Sequence, residues 1–171
     1  MDMYESLLGP ETLEQIQTIR VLLPEYAGLA EPQDRKNSDE IVRAYLSRLL
    51  GLLNAHLASL RAYFRARGQD QLFGRTDQVS EVAEMFSDKV KTVPYAYSPF
   101  FTIPRLPLDQ QEKIIDDDYT LLSLADKTET ILLPTLDKYS DFQGILDAIA
   151  EGVATLDSYF EQRINHIMEF H

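Results

Sequence analysis

Cysteine and tryptophan are absent from this 171-residue chain, and glycine is scarce, at seven. Without cysteine there is no disulfide framework, thiolate nucleophile, Fe–S cluster or Cys-based zinc site. Basic residues are few, 16 against 28 acidic ones, which leaves a formal net charge of −12. Such a balance argues against broad nucleic-acid binding, which relies on Lys and Arg neutralising phosphates. No run approaches the roughly 18 apolar residues of a membrane span. The start, Met1-Asp2-Met3-Tyr4-Glu5, carries two acids where a secretory signal carries positive charge. The expectation is a cytoplasmic chain with no membrane association. No phosphate-cradling glycine loop and no G-x-S-x-G occurs.

What is present is helical periodicity. Over 38–67, Val42, Leu46, Leu49, Leu53, His56, Leu60 and Tyr63 advance by alternating fours and threes. A second row, Leu50, Leu57 and Phe64, widens the stripe into the face of a packed helix. Asn37 or Ser38, with Glu40, provides a cap, and Gly68 a stop. Phe142, Ile145, Ile149, Val153, Leu156, Phe160, Ile164 and Ile167 repeat the signature, with Ser140 and Gln143 as a start signal. Gly144 and Gly152 lower the intrinsic helicity of that segment and predict a neighbouring helix packed closely against them. Residues 77–93 predict a helix capped by Thr76, with Val79, Val82, Phe86, Val90 and Val93 on one face. Residues 109–138 predict another, opened by Asp109 and Glu112 and kinked or restarted at Pro134. A short helix over 10–23 starts at Pro10, and residues 24–37 read as a linker.

Residues 94–108 break the pattern with Pro94, Pro99, Pro104 and Pro107 among Tyr95, Tyr97, Phe100 and Phe101. An extended run of that length reaches about 50 Å and could join two parallel helices as a crossover. Its aromatics either strap a core edge or form a partner-binding surface. The predicted fold is an all-α bundle of about four main helices plus a short N-terminal helix. The predicted organisation is a single domain over 1–171, with 1–36 as N-terminal helix and linker and 37–171 as the bundle.

Metal chemistry without cysteine would need the histidines. His56 lies on an apolar stripe, while His166 and His171 are five apart, about 140° around a helix. No Glu-x-x-His pair of the di-iron kind accompanies them. Glu81-x-x-Glu84 resembles the first half of the Mg²⁺ site of all-α nucleotide pyrophosphohydrolases. Glu112 and Asp116 are the nearest candidates for the second half, but their spacing departs from that E-x-x-D pattern. HEPN-type ribonucleases use Arg and His separated by four to six residues. Arg48 and His56 have seven between them, so the motif is not met.

Charge is distributed unevenly. Residues 35–75 hold eight basic and three acidic residues, a net of +5, between flanks of −6 (1–34) and −11 (76–171). Either the arginines pair internally, or Arg61, Arg65 and Arg67 at one helix end recognise an acidic partner. The sequence thus points first to a non-enzymatic protein–protein interaction module: an adaptor, a chaperone-like factor or a self-assembling subunit, with no cofactor. Its partner-binding candidates are Arg61, Arg65, Arg67, Tyr95, Tyr97, Phe100 and Phe101, and its partner is another protein or a second copy in a homo-oligomer. Two alternatives stand beside it. One is a Mg²⁺-dependent all-α nucleotide hydrolase using Glu81, Glu84, Glu112 and Asp116. The other is a nucleic-acid-associated factor using the arginine-rich helix.

Overall fold

Proline at the first position of a helix loses no hydrogen bond, because that N–H has no intrahelical partner. Two of the helices begin this way. The computed structural model describes residues 3–132 and 141–170. Among them are five α-helices and no strand: α1 Pro10–Leu22, α2 Pro32–Ala66, α3 Asp70–Lys91, α4 Leu108–Leu132 and α5 Phe142–Met168. The fold is all-α. Among the described residues no helix is long and apolar enough to cross a membrane.

The helix boundaries differ from expectation for local reasons. α2 begins at Pro32, not at Asn37 or Ser38, so part of the expected linker is helix. Pro32 acts as a first-turn residue, and Asp34 accepts a hydrogen bond from the Glu31 N–H, 3.3 Å. Ser38 caps nothing; its hydroxyl accepts from Ala27 N–H and donates to the Gly28 carbonyl, folding the preceding loop onto the helix. Gly28 has a φ of +78°, and a Cβ there would also meet the Glu5 carboxylate. At the other end Gly68 is the stop, in a Schellman arrangement: Gln69 N–H donates to Phe64 O and Gly68 N–H to Arg65 O. α3 then starts at Asp70, seven residues before the expected 77. Its first two turns carry no apolar stripe to reveal them, and Thr76 lies inside the helix, donating to Leu72 O. Val82 is exposed; the buried face is Val79, Ala83, Phe86 and Val90.

α4 begins at Leu108, one residue before the expected 109, and Glu112 accepts from the Gly9 N–H at the start of α1 rather than closing its own cap, 2.9 Å. Asp141 opens α5 by accepting from Gly144 N–H, 2.9 Å. The atoms nearest to a Cβ at Gly144 all belong to Asp141, its own cap. Gly152 does face a neighbouring helix: a Cβ there would stand 3.1 Å from Thr128 Oγ1 of α4. The expectations placed on Pro134, Leu136, Ser140 and His171 lie outside the described residues.

Residues group into two compact units. The first comprises 1–45, 93–123 and 158–171, and the second 46–92 and 124–157. The first unit is organised by two buried arginines. Arg35, fully buried, donates to five backbone carbonyls: Leu29, Ala30, Phe100, Ile103 and Pro104. Burial lowers its pKa. The last three carbonyls belong to the proline-rich segment. That segment is not extended; it turns at Tyr95–Ser98 and forms a 3-10 turn over Pro99–Phe101. Ser98 ties it to α5 by donating to Ile167 O. Phe100 packs edge-on against Phe101, and Phe170 packs on Phe100.

Arg163 is the second. Its Nε donates to Asp118 (2.6 Å) and its Nη1 to Asp39 (2.9 Å) and Tyr95 Oη (3.0 Å). Tyr95 in turn donates to Asp39, and Tyr26 donates to the other oxygen of Asp118. All of these side chains are buried. Burial alone would lower the Arg163 pKa, but Asp118, Tyr95 and Asp39 more than offset it, and the guanidinium is held well above its ordinary value. Burial also pushes Asp118 up, against the pull of Arg163, and raises both tyrosines. Nearby, Asp117 pairs with His166.

The second unit has an apolar interior of Leu46, Leu49, Leu53, Leu57, Leu60 and Phe64 from α2, with Val79, Phe86, Ile149, Val153 and Leu156 from α3 and α5. Tyr63, Phe64 and Phe142 form an aromatic cluster with ring centroids 5.0–5.7 Å apart. Arg48–Glu129, Arg75–Asp147 and Lys89–Asp157 pair across its helices.

Two outcomes follow from this packing. Arg163→Met leaves buried carboxylates unpaired and should cost about 3–5 kcal/mol in urea unfolding. Adding Asp39→Asn and Asp118→Asn should recover part of that loss, and a single-variant cost within error of zero would contradict the assignment. His56 is half-buried, and burial lowers its pKa below the ordinary 6.5. The folded chain then binds that proton more weakly than the unfolded chain. The stability from a neutral His56 is fully present above 6.5 and is lost as pH falls through the lower folded value. His56→Gln should reduce the stability difference between about pH 7.5 and about pH 5.5. An equal difference in the two proteins would refute it.

Candidate functional site

α2 and α3 are joined by the three-residue turn Arg67–Gln69, so they run antiparallel within the second unit. Arg61 Nε meets Asp77 Oδ1 at 2.8 Å, and the Arg61 guanidinium lies over Phe73 at 5.0 Å. That ion pair sets the register: moving four residues along α2 to Arg65 reaches the level of Phe73, and moving the other way reaches Ala58 beside Ser80 and Asn54 beside Glu84. The outward faces of these helices enclose a cleft of about 560 Å³. α2 contributes Asn54, Ala58, Arg61, Ala62 and Arg65, and α3 contributes Phe73, Asp77, Ser80, Glu81 and Glu84. Both sets have the spacing i, i+4, i+7, i+8, i+11, which is one face of a helix. The cleft has room because Ala58, Ala62 and Ser80 in its lining are small.

The cleft is electrically polar. Arg65 occupies the end near the turn, and Glu81 and Glu84 occupy the other end, about 12–16 Å away at 1.5 Å per residue. None of these three forms an ion pair or side-chain hydrogen bond among the described residues, and all three are exposed. Asn54 lies at the acidic end, and its Oδ1 is a buried acceptor without a partner among the described residues. Met85, one residue past Glu84, is 73% exposed. One end of the cleft therefore offers an unmatched donor, and the other offers unmatched acceptors.

The sequence-derived candidates distribute as follows. Arg61, Arg65, Glu81 and Glu84 come together in this cleft, although the sequence assigned them to different chemistries. Arg67 lies outside it, stacked over the Tyr63 ring at 3.6 Å. Glu112 and Asp116 belong to the first unit, where they accept from Gly9 N–H and Gln15 Nε2. Among the described residues no three His, Asp or Glu side chains group as a metal site. In the proline-rich segment Tyr95, Phe100 and Phe101 are buried, and Tyr97 is fully exposed.

Most of the basic stretch is accounted for internally. Arg43 pairs with Asp39, Arg48 with Glu129, Arg61 with Asp77 and Arg75 with Asp147. Arg65 stands apart from this pattern. Sequence reasoning missed the cluster around Arg163, although a signal was present. Arg163 falls on the apolar spacing Phe160–Ile164–Ile167, and Asp118 falls between Ile115 and Leu122 at helical intervals. A charge on a stripe is a buried charge, and a buried charge requires a partner. The polarity of the cleft was hidden because it depends on which α3 residue stands opposite each α2 residue. Compared with protein-family models, with curated proteins and with solved structures, the chain has no significant match in any of the three.

Proposed function

We propose that the chain is a protein–protein interaction module whose docking face is the α2–α3 cleft of the second unit. The observation that carries this reading is the pair of unmatched ends: Arg65 at one, Glu81 and Glu84 at the other. A partner surface laid along the cleft would place an acid against Arg65 and a base against Glu81 and Glu84, with Phe73 and the small floor residues supplying apolar contact. Side-chain pairing across such a face sets orientation and partner choice more than raw affinity. The three acids lining the cleft repel phosphate, which favours a protein over a nucleic acid as the partner. The alternating shape of the floor, small residues between long charged ones, suits an amphipathic helix.

The test uses two baits in lysate of the native host: the intact chain, and a variant carrying Arg65→Ala, Glu81→Ala and Glu84→Ala. These residues are exposed and unpaired, so the variant should unfold within about 0.5 kcal/mol of the parent in urea. The intact chain should retain proteins, including its own copies, that the variant loses. Identical sets on the two baits would refute the reading.

A further inference from the structure

The partner can be specified further, on the same interaction reading. An interface between two copies related by a two-fold axis uses one patch twice, so the patch must be complementary to itself. A patch of uniform charge fails that condition, because like charges meet. The α2–α3 cleft satisfies it. Arg65 stands four residues along α2 from Arg61, and Glu81 stands four residues along α3 from Asp77. Because the helices are antiparallel, these two steps lead in opposite directions from the Arg61–Asp77 pair. A two-fold axis lying across the cleft at that pair therefore brings Arg65 of each copy level with Glu81 of the other. At the axis itself each Arg61 meets its mate Arg61 and each Asp77 its mate Asp77, and these like charges are offset because Arg61 and Asp77 remain paired within each chain.

We infer that the cleft binds a second copy of this chain, forming a two-fold dimer in which Arg65 of each protomer inserts between Glu81, Glu84 and Asn54 of its partner. The chemistry at both ends agrees. Arg65 carries five N–H donors and makes no ion pair among the described residues. The receiving end offers two exposed carboxylates and the Asn54 amide, whose Oδ1 has no hydrogen-bond partner among the described residues. The amide torsion is soft, so this oxygen can turn toward an arriving guanidinium. Two such contacts form per dimer, one at each end, flanking the Arg61–Asp77 pairs of both protomers at the centre. Met85 at the rim is the exposed apolar side chain that the partner would cover.

The arrangement makes an exacting prediction with charge reversals. Arg65→Glu places acid against acid at both contacts. Glu81→Arg with Glu84→Arg places base against base at both. Each variant alone should be monomeric in sedimentation equilibrium at concentrations where the intact chain is a dimer, with the dissociation constant raised about tenfold or more. Mixed one to one, the two variants should form a heterodimer, because each glutamate then meets an arginine at both ends. The triple variant carrying all three reversals should also dimerise. Circular dichroism of every variant checks that its fold is kept, and raised salt should weaken the intact dimer.

A monomeric intact chain overturns the inference, as does a dimer that both variants leave unchanged, or a mixture that stays monomeric. Its failure is distinguishable from failure of the interaction reading. If the intact chain is monomeric yet the cleft variant loses a different protein in the lysate experiment, the cleft is a docking face for something else. If it is monomeric and loses nothing, both fall.

Discussion

A guanidinium with no access to water must find acceptors, and in the first unit Arg163 finds them on three separate stretches of chain. Asp118 comes from α4, Asp39 from α2 and Tyr95 from the proline-rich segment, while Tyr26 joins through Asp118. The cost of burying an ion in a low-dielectric interior is several kcal/mol unless geometry and further hydrogen bonds compensate. That cost makes the arrangement selective. An alternative packing that displaced α4 or the proline-rich segment would leave a buried charge with nothing opposite it. Leu–Leu contacts tolerate sliding; this cluster does not. Arg43 on the outer oxygen of Asp39 adds a second cation and leaves no oxygen of that carboxylate idle.

The second unit follows a different rule. Its interior is aliphatic and aromatic, and its charges lie outside, where exposed pairs contribute little individually. Their value there is informational. Arg48, Arg61 and Arg75 are each matched to an acid of the same unit, so the +5 segment of the sequence is largely neutralised where it lies. Against that background Arg65 at one end of the α2–α3 face and Glu81 with Glu84 at the other, none of them ion-paired among the described residues, define a direction along it. A chain with a net charge of −12 thus carries a face whose charge reverses from end to end.

Helix existence and the apolar stripes were legible in the sequence because each follows from spacing within one segment. The stripes of α2 and α5 and the Gly68 stop are read correctly from residues a few positions apart. Starts were less legible. Pro32 opens α2 with a polar turn inside the expected linker, and in α3 Leu72 and Phe73 are followed by Gly74, Arg75 and Thr76, so the apolar stripe becomes evident only from Val79. The proline-rich segment reads in sequence as an extended crossover because prolines forbid a regular helix. What bends it is Arg35, some 65–69 positions earlier, and no local pattern announces that contact. The cleft was half legible. The basic end at Arg61 and Arg65 and the acidic pair Glu81 and Glu84 are each visible within one segment, but their sharing one cleft is a property of register between two helices, not of either segment.

Arg35 fixes the course of that segment through carbonyl oxygens alone. Main-chain oxygens are the same whatever residue carries them, so the path between Phe100 and Pro104 is specified independently of the side chains at 103 and 104. Substitution at those two positions is then constrained by backbone torsion and not by recognition. The segment is free to change its outward chemistry, beginning with the solvent-facing Tyr97, while its trace over the first unit stays the same.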